Sequence, residues 1–255
     1  MLFKYTAEAK EFLAKVTDKA EIVTLKHMEQ VTDFVDPYLT NCALQYLKGT
    51  AGINFFAFGG TDNAERKRII ICPEYLNPDP VMAKVDILEF TGTVKYNKYS
   101  HRDYLGAIMG QGIKREKIGD IYPLVNGFAV ITTREIKEFF LIQELKIKGV
   151  SFSPKVHEIG EWKPPQAETQ SRNITVSSLR LDTITAHGFG LSRTGAAEYI
   201  KSGKVKVNWQ VMESIVYQCQ KGDTISLRGQ GRISVYDIGG ETKKGRLKLT
   251  ILKYI

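Results

Sequence analysis

Cysteine and histidine are scarce in this chain. It has three cysteines and four histidines in 255 residues. Cys42, Cys72 and Cys219 lie far apart with no CxxC or CxxxC pair, which argues against a disulfide framework or a zinc site. His27, His101, His157 and His187 are equally scattered, so no cofactor or metal is expected. No apolar run approaches the roughly 18 residues a membrane span needs. Met1 to Val16 carries acids and reads as an amphipathic helix, without the apolar core and small-residue cleavage site of a signal peptide. The expectation is a cytoplasmic protein with no membrane partner. No nucleophile and base stand at a recognisable spacing.

Cations, by contrast, are abundant and unevenly placed. Residues 170–255 hold 14 Lys and Arg against 6 Asp and Glu, whereas residues 1–169 hold 22 of each. The whole excess of +8 therefore sits in the last third. A basic patch on one domain attracts a polyanion, and nucleic acid is the usual one in the cytosol.

The pattern along the chain predicts an α+β protein, with an N-terminal α/β part that starts helical and continues as a mixed sheet. Asp36-Pro37 reads as a helix start and Gly49 as its stop. Ile53–Phe58, Arg68–Cys72, Val85–Phe90 and Gly127–Ile131 read as strands, and Lys148–Ser153 closes the series. Ser100 with Asp103, and Thr132 with Glu135, have capping-box spacing, the second for a helix running to Leu145. Gly160–Asn173, with two consecutive prolines, reads as a linker. The boundaries expected are 1–75 for a helical and α/β subdomain, 76–163 for an α/β subdomain and 174–255 for a small basic domain.

The basic domain opens with two short helical patterns joined by "GFG". Ser177 or Ser178 caps the first, which ends by Gly188; Ser192 caps the second, which ends at Gly203. Arg193, Ala197 and Lys201 recur at i, i+4 and i+8 and form one line, with Ala197 small enough for a sugar-phosphate backbone to approach. In "KVKVN", Val205 and Val207 alternate with Lys204 and Lys206, extending the cationic edge. Arg228 and Arg232 follow in a glycine-rich stretch, and Lys243 and Lys244 add to the basic surface. The helix start at Ser192 offers amides to a phosphate. Elsewhere, Lys114, Arg115 and Lys117 are either a second RNA contact or, with Glu116 and Asp120 among them, a solvated face.

Arg180-Leu181-Asp182, Ser192-Arg193, Ala197, Ile200, Gly203, Val205, Val207-Asn208 and Gly222-Asp223 together resemble the ribosomal-protein-S-four RNA-binding fold, a helix–loop–helix on a small bent sheet. Trp209 departs from it, standing where glycine commonly follows the Asn, so a wider hairpin is expected. The resemblance implies that Arg180, Arg193, Thr194, Lys201, Lys204, Lys206 and Asn208 face RNA. Ser192, Ala197, Arg228, Arg232, Lys243 and Lys244 complete the candidate set, and Asp182 is expected to be structural. His101–Ile121 and the ending from Gly231 resemble the bacterial YlmH group. That resemblance implies a factor on the large ribosomal subunit, and the protein is expected to be monomeric. Its partners would be ribosomal RNA and tRNA, in the quality control of stalled peptidyl-tRNA.

An enzyme remains the rival. A pseudouridine synthase would need an Arg-Leu-Asp triplet in a catalytic domain, and the triplet here lies inside the binding motif. A methyltransferase would need a glycine-rich loop between strand and helix; "DIGGET" at 237–242 has only thirteen residues after it. The expectation is a non-catalytic RNA-binding factor, with an RNA-modifying enzyme or a cell-division adaptor as alternatives.

Overall fold

The computed structural model describes residues 5–93, 99–166 and 168–254. The chain divides into two compact units, Met1–Pro165 and Gln166–Ile255. Among the described residues, every strand pairing is antiparallel.

The first unit begins with helix α1 (Ala7–Lys26), strand β1 (Gln30–Val31), helix α2 (Pro37–Leu47) and strands β2 (Ile53–Phe58) and β3 (Arg68–Pro73). The strands form a sheet in the order β1-β3-β2. Ala9, Leu13, Val16 and Val23 recur at helical spacing on α1 and pack with Leu39 and Ala43 of α2 over Ile53, Ile69 and Ile71. Asp36 caps α2, its carboxylate accepting from the Leu39 amide at 2.9 Å, with Pro37 in the first turn.

There follow β4 (Val85–Gly92), α3 (His101–Gly110), β5 (Ile118–Leu124), β6 (Gly127–Thr133), α4 (Arg134–Ile142), β7 (Leu145–Ile147) and β8 (Val150–His157). Their sheet runs β5-β6-β4-β8-β7. Leu88, Phe90, Phe128 and Val130 pack with Tyr104, Ile108 and Phe140 of α3 and α4. Ile87 and Ile131 instead meet Phe34, Phe58 and Ile70, joining this part to the first sheet. Arg68, only 4% exposed, strengthens that junction by donating to the carbonyls of Thr32, Ala83 and Lys84.

Both halves of the Ser100–Asp103 capping box form. The second box does not: Thr132 lies buried in β6, Thr133 is the N-cap without a side-chain bond, and α4 ends at Ile142. Leu145 and Ile147 are needed in the core as strand β7, so the helix stops short of them. β5 was not expected as a strand; it tolerates Pro123 because it is an edge strand.

The second unit contains β9 (Thr169–Val176), α5 (Leu181–Phe189), α6 (Arg193–Lys201), β10 (Val205–Val207), β11 (Gln210–Val211), β12 (Thr224–Leu227), β13 (Gly231–Glu241) and β14 (Leu247–Tyr254). Its sheet order is β11-β10-β12-β13-β14-β9. Leu181, Ile184 and Ile200 of the helices cover Val205, Val207, Ile225, Ile233, Val235 and Ile251 on one face. Register shifts after Val235 and Ile238 bend β13.

The expected linker is shorter than its composition suggested, because Thr169–Asn173 pairs with Thr250–Tyr254. β9 is an edge strand, so its polar residues face solvent and look like linker sequence. Ala167, within that stretch, lies outside the described residues, as do Met1–Lys4 of the N-terminal helical pattern.

Candidate nucleic-acid interface

Asp182 organises the start of the helix–loop–helix. Its side chain is buried and accepts from Arg180 Nε and Nη2 at 3.1 and 2.9 Å and from Arg193 Nε at 3.1 Å. Burial opposes its ionisation, but the hydrogen bonds and charges of the two arginines prevail and hold its pKa at about 2. It is structural, as expected, and orients two members of the candidate set. The Arg180 side chain is largely enclosed, whereas that of Arg193 remains 56% exposed.

The two helix starts differ. Neither Ser177 nor Ser178 caps α5; Arg180 is its N-cap, and its first amides donate to the carbonyls of Tyr217 and Ile215 at 2.8 and 3.3 Å. Those amides are therefore not available to a phosphate. α6 begins at exposed Ser192, whose hydroxyl accepts from the Gly195 amide at 3.0 Å, with Arg193 and Thr194 exposed beside it. A helix start in this setting favours an anion. α5 ends at Gly190 (φ 68°), not Gly188. Gly188 lies within the helix, where a Cβ would come within 2.3 Å of the Ile233 side chain, so it permits close packing on the sheet.

Along α6, Arg193 and Lys201 are exposed with half-buried Ala197 between them, while Ala196 and Ile200 are buried. Lys204, Lys206 and Arg228, all exposed, line a cleft of about 370 Å³ with Gly203, Ser226 and Leu227. The Arg228 amide donates to the Lys204 carbonyl at 3.0 Å, tying this rim together.

The hairpin between β10 and β11 is not widened. Val207 pairs with Gln210 across a two-residue turn in which Asn208 (φ 48°) and Trp209 (φ 67°) both adopt left-handed backbone. Asn208 is committed to this turn. Its Nδ2 donates to Asp223 Oδ1 at 2.8 Å, and its Oδ1 accepts from the Thr224 amide at 2.9 Å. Arg232 lies over the Trp209 ring at 5.4 Å and the Tyr254 ring at 5.6 Å. Sequence reading missed the part played by Tyr254, because only strand register sets it near Arg232.

Lys243 and Lys244 are exposed in the turn after β13. That turn follows the end of β13 at Glu241, whereas Arg228 precedes its start at Gly231, so the two lie at opposite ends of the strand. The structure thus separates these two lysines from the cleft.

The grouping of Lys114, Arg115 and Lys117 does not assemble as one patch. Arg115 donates inward to the carbonyls of Ile118 and Gly119, and burial lowers its pKa to about 10. Lys117 pairs with Asp33 at 2.7 Å, and Lys114 is exposed. Asp120 accepts from the amides of Glu65 and Arg66 and so acts as an internal brace.

Three family models match in chain order. "YlmH, N-terminal" covers residues 8–76, "Putative RNA-binding domain in YlmH" covers 78–160 and "S4 domain" covers 179–225. The chain is 32% identical over 246 residues to the Ribosome-associated protein quality control protein P2 of Bacillus subtilis, spanning 96% of this chain and 95% of that protein. Over 81 residues it is 30% identical to the small ribosomal subunit protein uS4 of Prochlorococcus marinus, covering 31% of this chain and 40% of that one. Among solved structures, the Cell division protein ylmH from Streptococcus pneumoniae shares the fold with a TM-score of 0.54 and 21% identity. The match covers 63% of this chain and 98% of that chain.

Proposed function

The chain belongs to the YlmH family, and we propose that it is a non-catalytic RNA-binding factor that docks on the ribosome. The observation that carries this reading is the outward line of Arg193, Ala197 and Lys201, continued by Lys204, Lys206 and Arg228 around one cleft. Such a face binds phosphates, while RNA shape provides selectivity because A-form grooves hide base edges. The finer assignment is to ribosomal RNA of the large subunit and to tRNA held there. The name of the Bacillus relative supports a role in ribosome-associated quality control. The protein would act as a monomer in the cytoplasm. Lys243 and Lys244, at the far end of β13, would meet a separate stretch of RNA.

Sedimentation of the full chain with purified ribosomal subunits tests this reading. It should travel with large subunits in low salt, and affinity should fall with a log–log salt slope of roughly −3.5 to −4.5 if about five phosphates are neutralised. Replacing Arg193 and Lys201 together with Ala should lower affinity by about tenfold or more and flatten that slope by about 1.5, without unfolding the protein. A salt-independent interaction, or an unchanged double variant, would overturn the proposed face. The enzyme reading predicts an RNA modification that disappears when the protein is absent, which mass spectrometry of cellular RNA would detect.

A further inference from the structure

Among the described residues, nearly every sheet edge is blunted. β1 and β11 span two residues each. β7 has three and carries Lys146, β5 carries Asp120 and Pro123, and β9 carries Arg172. Short length, charge and proline all discourage a further strand from pairing. β2, at the edge of the first sheet, differs: its six residues, Ile53–Phe58, include no charge and no proline.

The register shows which of its backbone groups face outward. The Glu74 amide donates to the Gly52 carbonyl at 3.1 Å on the β2 side of β3, and the Ile69 carbonyl accepts from the Thr32 amide at 2.9 Å on the other side. Bonded and non-bonded pairs alternate in an antiparallel ladder. Asn54–Cys72, Phe56–Ile70 and Phe58–Arg68 are therefore the bonded pairs, and Phe55 and Ala57 turn their N–H and C=O groups to the open edge. Among the described residues, no hydrogen bond engages those outward groups. The side chains of Phe55 and Ala57 lie on the face covered by α2. A groove of about 430 Å³ lies there, lined by Asn41 and Leu44 of α2 and by Phe55 and Ala57 of β2. Glu65 and Lys67 also line it, one charge of each sign, so it has no net attraction for a polyanion.

We propose that this groove binds an extended peptide of a partner protein, which adds to β2 as a further strand. Its alternating N–H and C=O groups complement those of Phe55 and Ala57, and its side chains opposite them enter the groove against Leu44. The apolar lining selects apolar side chains at alternate positions of that peptide. A second copy of this chain fits less well, because its β2 would bring its own α2 against Asn41 and Leu44, whereas a lone strand has room. The proposal is independent of the RNA-binding reading and adds a protein-binding site in the first unit.

The test uses the full chain. In the free protein, amide exchange followed by NMR should be fast at Phe55 and Ala57 and slow at Phe56, whose amide is bonded to β3. A library of random nonapeptides displayed on phage is then selected on the full chain, and the recovered peptides are synthesised. They should share apolar residues at every second position. At saturation they should slow exchange at Phe55 and Ala57 by about tenfold or more. Ala57→Pro removes an outward donor but no bond to β3, so it should fold and bind peptide about tenfold more weakly. Asn41→Trp, at an exposed site on α2, should fill the groove and weaken binding by about as much.

Slow exchange at Phe55 and Ala57 in the free protein would overturn the proposal, because the edge would already be covered. If that protection rose with protein concentration, the occupant would be a second copy, which would overturn it too. So would a selection that yields no peptide, a bound peptide that leaves both amides exchanging fast, or a folded Ala57→Pro variant with unchanged affinity. If the proline variant fails to fold, exchange in the parent chain and Asn41→Trp decide. None of these outcomes bears on RNA binding, which the sedimentation experiment tests separately.

Discussion

Asp182 illustrates how one buried acid can set up a basic surface. It fastens Arg180 close to the protein and leaves the exposed part of Arg193 pointing outward. Its pKa of about 2 lies below the ordinary value of about 4. A depressed folded pKa contributes stability that is complete above the unfolded value and disappears as pH falls through the folded one. Thermal melts should therefore show stability falling between about pH 4 and pH 2, by on the order of 2 kcal/mol from this group. Asp237, lowered by its bond to Lys221, titrates in the same direction, so the comparison should be with Asp182→Asn. That variant should lose about 2 kcal/mol at neutral pH, have a flatter acid limb and bind RNA more weakly as Arg193 loses its anchor. The Arg-Leu-Asp triplet was visible in sequence, but Arg193, eleven residues later, could not be assigned to the same carboxylate by spacing alone.

Elements depend on close backbone contacts that composition does not show. Gly127 (φ 154°) opens β6, and a Cβ there would lie 1.8 Å from the Phe90 carbonyl oxygen of β4. Because the obstacle is backbone in the centre of a sheet, Gly127→Ala should cost about 3 kcal/mol or more, seen as a lower denaturant midpoint. α6 was legible nearly residue for residue, because its cap, its small-residue stripe and its glycine stop agree. α4 was less so, because Leu145 was read as the end of the helix and is claimed by the core, together with Ile147, as a strand. β9 was the hardest to see: its partner β14 is about 75 residues away, and pairing between distant segments leaves no local mark.

Across the whole molecule, the two units carry separate reporters. Cys42 and Cys72 are buried in the first and Cys219 in the second, where burial raises its thiol pKa to about 12. All three should resist a thiol reagent in the native protein. In rising denaturant, their labelling, resolved by peptide mass, should report whether the units unfold together or apart; rapid native labelling of Cys219 would contradict its place in the core. Bulk charge, by contrast, was an incomplete guide. Arg66, Arg68 and Arg115 look like surface cations in a composition, yet all three donate to backbone carbonyls inside the first unit. That accounts for the second cationic grouping failing to assemble.

What the amino-acid order determined unaided was everything encoded within a few residues: helix starts at Asp36, Ser100 and Ser192, the outward line on α6, and the confinement of excess charge to the last third. What only the tertiary structure decided was which cations remain outside and which long-range partners meet. Asp182 reaches Arg193, Arg232 reaches Trp209 and Tyr254, and Arg115 turns inward, because burial and strand register join residues whose separation along the chain carries no local signal.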